Sequence, residues 1–193
     1  PAEPRPYRHP RVSPDGTRIA VEIDDPANTD IWIGDARRGA FTRLTSGEQV
    51  DSDPIWSPDG SRIVYSSVRG TEGLFWQPAD GSGRAEHLVD GSSGVRATTW
   101  TRDGQLVYEE LAGADIRLLT PGSGLPPRVI PLFDAPEFFN EVLPALSPDG
   151  RWLAYQSTES ADAEVYLRPF PDVSSLRRQV SVGGGFAPLW SAD

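Results

Sequence analysis

Hydrophobic and polar positions follow a pattern that returns along the chain at a nearly constant spacing. Each copy has an apolar segment, a Ser/Thr-x-Asp-Gly turn, and a second segment in which hydrophobic residues alternate with others. The turn aspartates are Asp15, Asp59, Asp103, Asp149 and Asp193, so their spacings are 44, 44, 46 and 44 residues. A fixed period in this range is typical of propellers and solenoid arrays. The chain is therefore predicted to be a repeat protein.

Within each copy the pattern predicts four β-strands. Asp and Gly favour the backbone angles of tight hairpin turns, and the flanking segments are rich in β-branched and aromatic residues. A third strand follows the second, and a weaker fourth strand follows the third. The predicted fold is all-β, a β-propeller of four-stranded antiparallel blades. The blades are expected at about residues 10–45, 53–89, 96–132 and 142–182, with a partial fifth blade at 187–193.

The two ends of the sequence give a prediction about domain organisation. Residues 1–9 carry three prolines and no apolar periodicity, and we predict that they form a leader or linker. Residues 10–193 are then a single propeller domain whose ring is open. Because bare strand edges pair readily with other strands, we expect either additional blades or an edge-to-edge association of copies of this chain.

The most regular copy carries a family resemblance. It reads Pro-Ile-Trp-Ser-Pro-Asp-Gly at residues 54–60, followed by Ile-Val-Tyr at 63–65. This pattern resembles the WD-like repeat of TolB-type β-propellers, and the resemblance runs through essentially the whole chain. Residues 147–193 are most similar to propeller domains attached to bacterial serine/threonine protein kinases. The resemblance implies a fragment of a six-bladed ring, which needs roughly 264 residues at this repeat length, and an extracytoplasmic location, either periplasmic or extracellular.

Composition narrows the classes of partner. The formal net charge is −10, and the eighteen basic residues, all arginine, are scattered along the chain. Nucleic-acid surfaces depend on clustered cations, so we expect no nucleic-acid partner. No run of eighteen apolar residues occurs, which argues against membrane insertion of this segment. The lack of cysteine removes disulfides, thiol nucleophiles and thiolate metal sites.

No constellation of catalytic residues is recognisable in the sequence. There is no Gly-x-Ser-x-Gly elbow, and of the two histidines His9 lies in the predicted leader and His87 in a fourth-strand position. The loop at residues 24–30 is rich in the oxygen ligands that Ca²⁺ prefers, but its spacing matches no EF-hand, and solvated Asx turns are the favoured interpretation. We therefore predict no enzyme activity, no cofactor and no metal site in these residues.

The remaining class of function is binding. In a propeller the segments leading into the innermost strands form a face on which ligands dock. The candidate binding residues at this channel mouth are Asp51, Asp53, Arg96, Asn140, Glu141 and Phe186. An alternative is that these polar groups only satisfy one another or water.

Two functions stay open. The first is a non-catalytic sensor or scaffold that binds a protein or peptide through its channel face. The second is an accessory propeller of a prolyl-oligopeptidase-like serine peptidase, whose hydrolase domain would lie outside this sequence.

Overall fold

A computed structural model describes residues 6–25, 28–91, 94–122, 127–133 and 139–191. Over these ranges the chain forms β-strands and no helix. The strands are β1 (Tyr7–Val12), β2 (Arg18–Asp25), β3 (Asn28–Asp35), β4 (Phe41–Arg43), β5 (Asp51–Trp56), β6 (Arg62–Arg69), β7 (Thr71–Pro78), β8 (Glu86–Asp90), β9 (Val95–Trp100), β10 (Leu106–Glu110), β11 (Asp115–Thr120), β12 (Arg128–Pro131), β13 (Glu141–Leu146), β14 (Trp152–Ser160), β15 (Asp162–Pro169) and β16 (Arg178–Gln179).

The strands form four antiparallel sheets of four consecutive strands each. The first sheet has the order β1-β2-β3-β4, and β5 to β8, β9 to β12 and β13 to β16 repeat that order. This arrangement confirms the predicted all-β class and the four-stranded repeat. The last strand of every sheet is short, as the weak hydrophobic signal of the fourth segment indicated.

The first strand begins earlier than the sequence suggested. Part of the segment predicted to be a leader belongs to β1, because Tyr7 pairs with Ile23 and Arg8 pairs with Glu22. Every residue of β1 is exposed, so no buried face imposes an alternation of apolar residues on this strand. Residues 1–5 of the predicted leader, and the end of the predicted fifth blade at Ala192 and Asp193, lie outside the described residues.

The chain divides into two compact units, Pro1–Ala97 and Thr98–Asp193, with the boundary inside β9. Each unit has its own hydrophobic core, formed where two sheets pack face to face. The core of the first unit contains Ala20, Ile31, Trp56, Ile63, Tyr65, Phe75 and Ala79. The core of the second unit contains Val107, Ile116, Leu118, Leu153, Tyr155 and Tyr166, with Phe133 packed against it.

The Ser/Thr-x-Asp-Gly segments form the same hydrogen-bonded turn in all four sheets. In the second sheet the Gly60 amide donates to the Ser57 carbonyl over 2.9 Å, and the Ser57 hydroxyl donates to the Asp59 carboxylate over 2.6 Å. Gly60 has a φ of 69°, a conformation in which glycine avoids the steric cost of a Cβ. The other three turns repeat the pair as Ser13–Asp15, Thr101–Asp103 and Ser147–Asp149, at 2.6, 2.5 and 2.5 Å.

A tryptophan precedes the turn in the second sheet and fixes it to the first sheet. Trp56 is 7% exposed, and its indole N–H donates to the carbonyl of Arg11 over 2.9 Å. The guanidinium of Arg18 lies 4.5 Å from the centre of the Trp56 ring and also donates to the Gly60 carbonyl over 2.7 Å. Trp56 is therefore buried between the first and second sheets.

None of the residues with described positions belong to a helix long and apolar enough to cross a membrane.

Candidate functional site

The first strands of three sheets, β1, β5 and β13, each carry a β-bulge near their beginning. We call the end of a sheet at which its first strand begins the loop end. The opposite end, which carries the Ser/Thr-x-Asp-Gly turn, is the turn end. The register shifts at these bulges lie between Arg8 and Arg11, between Ser52 and Ile55, and between Val142 and Ala145. Each bulge contains a non-glycine residue with a positive φ followed by proline: His9 at 45°, Asp53 at 52° and Leu143 at 55°. Such residues are uncommon, so three at equivalent positions indicate a feature of the repeat.

A buried glutamate from the preceding sheet accepts a hydrogen bond from the amide at two of these bulges. In the first unit the Asp53 amide donates to Glu22 over 2.5 Å, and in the second unit the Leu143 amide donates to Glu109. Glu22 is 3% exposed and Glu109 is fully buried. Because a buried amide without a partner costs about 1–3 kcal/mol, these glutamates stabilise the bulged backbone. We call each such pair a bulge clamp.

The third sheet lacks the bulge proline, and the second sheet presents a hydrogen-bond donor to it instead of a glutamate acceptor. Thr98 stands where the other copies have proline, and Ala97 before it does not have the positive φ of His9, Asp53 and Leu143. The second sheet presents Ser66 at the position of Glu22 and Glu109, and the Ser66 hydroxyl donates to the Val95 carbonyl over 2.5 Å. The polar group between consecutive sheets thus matches the backbone group that it faces.

Asp51 and Glu141 occupy equivalent positions at the start of β5 and β13 but have different surroundings. Asp51 is 1% exposed and accepts hydrogen bonds from the Ser67 hydroxyl and from the guanidinium of Arg69, the latter at 3.1 Å. Glu141 is 4% exposed. The position that is Arg69 in the second sheet is Glu159 in the fourth, so a second carboxylate replaces the cation near Glu141.

Burial raises the pKa of the Glu141 carboxyl to about 7. Arg168 opposes the increase, whereas the negative charges of Glu159 and Asp115 add to it. Glu141 therefore changes its charge near neutral pH, while the unfolded chain would ionise it well below that.

A cavity of about 440 Å³ opens at the loop end of the fourth sheet. Its lining includes Phe139, Glu159, Tyr166, Arg177 and Gln179. The guanidinium of Arg177 pairs with one oxygen of Glu159 and lies 5.9 Å from the Tyr166 ring centre. The other oxygen of Glu159 is buried and accepts no hydrogen bond from the described residues. Aromatic walls combined with polar groups of both charges suit a side chain of a peptide better than a purely apolar ligand.

A second cavity of about 410 Å³ lies at the turn end of the second unit. It is lined by residues of the repeated turns, including Thr101, Arg102, Ser147 and Pro148. Arg102 already donates to the Pro148 carbonyl over 3.0 Å. Since these groups hold the turns in place, this cavity is part of the repeated framework.

The six candidate binding residues fall into two groups, one in each unit. Asp51, Asp53 and Arg96 belong to the first unit, where Asp51 is buried and the other two are half-buried. In the second unit Glu141 is buried, Asn140 is exposed, and Phe186 is 80% exposed. Asp51 and Glu141 are therefore shielded from solvent, and the other four are at least partly accessible to it.

The acids that open the third strands act within their own sheets. Asp30 pairs with Arg43 on β4, and the Thr45 hydroxyl donates to it over 3.3 Å. Glu164 accepts from Ser181 and from the Gly184 amide, the latter at 2.8 Å. Asp30 and Glu164 therefore accept hydrogen bonds from the fourth strand of their own repeat or from residues that follow it.

The described part of the loop at 24–30 is bonded to protein groups. Asp24 pairs with Arg8 at 2.7 Å and accepts a hydrogen bond from the Thr29 hydroxyl at 2.7 Å. The side-chain amide of Asn28 donates to the Gly47 carbonyl at 3.1 Å. Pro26, Ala27 and the Asp25 side chain lie outside the described residues. These contacts favour the interpretation of the loop as hydrogen-bonded turns rather than a calcium site.

Sequence reasoning missed the residues that shape the loop end. Glu22, Glu109, Glu159 and Arg177 were given no role, although Glu22 and Glu109 follow the second-strand motif at the same offset. The signal that could have identified the clamps is this shared offset combined with a proline in the first strand of the next sheet. Nothing comparable marks Glu159 or Arg177, because their partners come from other strands.

Comparison with known proteins agrees with this architecture. A family model described as the TolB beta propeller domain matches residues 6–119. The structure of TolB from Acinetobacter baumannii superposes with a TM-score of 0.72 over 92% of this chain and 44% of that chain, at 18% identity. The predicted propeller class is thereby confirmed.

Two peptidases are also similar. The "uncharacterized peptidase YuxL" of Bacillus subtilis is 26% identical over a region that covers 82% of this chain and 31% of YuxL. A puromycin-hydrolyzing peptidase of Mycobacterium tuberculosis superposes with a TM-score of 0.64 over 86% of this chain and 28% of that chain, at 16% identity. The chain spans about a third of the length of YuxL, and less than half the length of either solved structure.

Proposed function

We propose, from the premise that the chain belongs to the TolB beta propeller domain family, that it is a non-catalytic module that binds a protein or peptide at the loop ends of its sheets. At the loop end of the first unit a ligand would contact Asp53 and Arg96, with Asp51 buried beneath them. At the loop end of the second unit it would contact Asn140 and Phe186, with Glu141 buried beneath them. In this proposal residues 10–193 contribute to one propeller. No step of the function requires bond breaking by this chain.

The observation that carries the proposal is the cavity at the loop end of the fourth sheet. It combines the aromatic rings of Phe139 and Tyr166 with the Glu159–Arg177 pair. One of its lining residues, Phe139, directly precedes Asn140 and Glu141 in the sequence, where β13 begins. A peptide side chain can enter such a space, whereas the turn ends present the same self-satisfied turn in every copy.

Charge supports a ligand with basic residues. The chain has a formal net charge of −10, and carboxylates occupy both loop ends described above. Fields of one sign raise the local concentration of oppositely charged ligands and increase their association rates. A basic or mixed-charge peptide is therefore favoured over an acidic one.

The test is selection of peptides from a random displayed library on the purified chain, followed by calorimetric measurement of affinity. The variant Asn140→Ala/Phe186→Ala should bind the selected peptides at least about tenfold more weakly, because it removes contacts worth more than about 1.4 kcal/mol. The matched control is Arg102→Ala/Gln105→Ala at the turn end of the same unit, which should leave affinity unchanged. Equal losses in both variants, or no selectable peptide, would contradict the proposal.

A second candidate function is favoured by the similarity to YuxL. In this version the chain is the propeller part of a serine peptidase, and it admits or excludes peptide substrates for a hydrolase domain. The sequence flanking the chain in its gene separates the candidates. An α/β-hydrolase elbow downstream supports the peptidase, whereas a kinase domain and a membrane span upstream support a sensor like the kinase-attached propellers.

A further inference from the structure

Three side chains of types that bind metals meet at the bulges of the first unit. His9 and Asp53 are the left-handed bulge residues of β1 and β5, and Glu22 lies between them on β2. The Nδ1 atom of His9 is 2.6 Å from a Glu22 oxygen and 3.5 Å from an Asp53 oxygen. One ligand atom from each residue lies within 4.8 Å of those from the other two.

The bulge clamp by itself does not require this combination. In the second unit Glu109 holds the Leu143 amide in the same way, and the bulge residue there is an apolar leucine. The position equivalent to His9 in that clamp is Ala97, whose side chain offers no metal ligand. The histidine and the second carboxylate of the first unit are therefore additions to a clamp that works without them.

The carboxylates of Glu22 and Asp53 also differ from those of Asp30 and Asp51 in their charged partners. Asp30 and Asp51 are each paired with an arginine, Arg43 and Arg69 respectively. Within the described residues, Glu22 and Asp53 have no arginine partner, and His9 is the one basic group bonded to them. Buried charges are normally paired or coordinate metals.

We propose that His9, Glu22 and Asp53 form a binding site for a divalent transition-metal ion such as Zn²⁺. Imidazole nitrogen and carboxylate oxygens are ligands that zinc accepts at about 2.0–2.2 Å, which places two ligands of a tetrahedral ion roughly 3.4 Å apart. The separation of 3.5 Å between His9 and Asp53 agrees with that spacing. The ion replaces the hydrogen bond between His9 and Glu22, and the histidine gives up any proton on Nδ1 to solvent.

The site leaves room for exchange with solvent. The side chain of His9 is 50% exposed and that of Asp53 is 24% exposed, so an ion can reach the ligands without unfolding the clamp. Three protein ligands leave a fourth position to water or to a donor group of a bound partner. Because protons compete with the metal for the histidine, binding weakens as the solution becomes acidic.

The experiment is a titration of the tag-free full chain, stripped with a chelator, with Zn²⁺ by calorimetry, and with Co²⁺ by visible absorption. We expect one ion per chain and a Co²⁺ spectrum with a tetrahedral or five-coordinate intensity. His9→Ala and Asp53→Leu should each lower the affinity at least about tenfold, the scale of losses when a metal's surroundings are disrupted. Asp53→Leu copies the natural clamp at Leu143 and therefore keeps the fold.

Two variants serve as matched controls. His87→Ala removes the other histidine, whose ring nitrogen lies 3.0 Å from Asp90, and Glu109→Gln alters the clamp that has no histidine. Both should bind Zn²⁺ as the unchanged chain does, with melting temperatures recorded for every variant. Less than one ion per chain at about 100 μM Zn²⁺, an affinity unaffected by His9→Ala, or an affinity lost in His87→Ala would each overturn the proposal; none of these results bears on peptide binding.

Discussion

The two ends of each sheet differ in how closely their side-chain contacts repeat from copy to copy. At the turn end, a hydroxyl and an aspartate form the same hydrogen bond in all four copies, between 2.5 and 2.6 Å. At the loop end, equivalent positions carry different chemistry: Asp51 meets an arginine, whereas Glu141 meets a second glutamate. Identical contacts in every copy indicate a structural requirement of the repeat. Contacts that differ between copies are not required by the repeat, which is why we propose the binding site at the loop ends.

The largest effect is expected from a turn-end substitution, Trp56→Ala. It removes a 7% exposed indole from the core of the first unit and leaves the Arg11 carbonyl without its partner. Truncations of this kind cost about 3–5 kcal/mol, a large fraction of the stability of a domain. Chemical denaturation followed by tryptophan fluorescence and circular dichroism should show a domain that is unfolded or nearly so.

Trp190→Ala is the matched control for this prediction. Trp190 makes the same bond, to the Ala145 carbonyl at 2.9 Å, but is 36% exposed. We expect it to lower the free energy of unfolding by less than half as much. Equal effects of the two substitutions would show that burial does not decide the importance of this position.

A second test uses the pH dependence that Glu141 gives to the loop end. Since its pKa is about 7 in the folded chain and near 4.5 when unfolded, the folded state holds an extra proton between these values. The contribution of Glu141 is therefore most favourable below about pH 4.5 and is lost progressively as the pH rises through 7, by up to roughly 3 kcal/mol.

Glu141→Gln should remove this dependence. Urea denaturation at pH 5, 6, 7 and 8 should show the variant gaining stability relative to the unchanged chain as the pH increases. Glu48→Gln, at an exposed acid, should run parallel to the unchanged chain. A constant difference between Glu141→Gln and the unchanged chain would exclude a shifted carboxyl at this position.

The bulge clamps give a test of intermediate size. Glu109→Ala leaves the amide of the half-buried Leu143 without its acceptor, which should cost about 2 kcal/mol of unfolding free energy. Glu109→Gln keeps an acceptor oxygen and should cost about half as much. If the alanine variant is no less stable than the glutamine variant, water or another group satisfies the amide, and the clamp is not what holds the bulge.

The smallest effect is expected at a single turn aspartate. Asp59 accepts bonds from the Ser57 hydroxyl at 2.6 Å and from the Ser61 amide at 2.9 Å, and these bonds lower its pKa to about 2. Asp59→Ala should cost about 1 kcal/mol, as for the loss of a helix-capping side chain. Its contribution is present above pH 4 and is lost as the pH falls towards 2, the opposite direction to Glu141. Thermal melts of Asp59→Ala and of the unchanged chain at pH 7 and pH 3 measure both the cost of the substitution and its decrease at low pH.

The sequence predicted the turn end well and the loop end poorly, for a physical reason. The turn contacts join residues two to five positions apart, such as Ser57 with Asp59 and Arg62, so the pattern of each copy contains all the partners. The clamp contacts join residues 31 and 34 positions apart, in consecutive sheets. Aligning the copies shows which positions correspond, but it does not show which positions of neighbouring copies meet.

Contacts between residues distant in sequence also limit what could be predicted about the candidate site. Asp51, Asp53 and Glu141 were recognised from their place before the inner strand, and the structure locates all three at the loop ends. Their burial could not be predicted, because it depends on Ser67 and Arg69 in one sheet and on Glu159 in another. The start of β1 at Tyr7 was missed because an exposed strand shows no apolar alternation.

The bulge clamps make neighbouring sheets chemically distinguishable. The first and third sheets offer a carboxylate that requires an amide, and the second offers a hydroxyl that meets a carbonyl. The hydroxyl also bonds two positions earlier in the next strand than the carboxylates do, at Val95 rather than at the position equivalent to Asp53 and Leu143. Repeat proteins are prone to misassembly because their units resemble one another. Here three hydrogen bonds give similar units different contacts with their neighbours, and such differences disfavour the pairing of the wrong units.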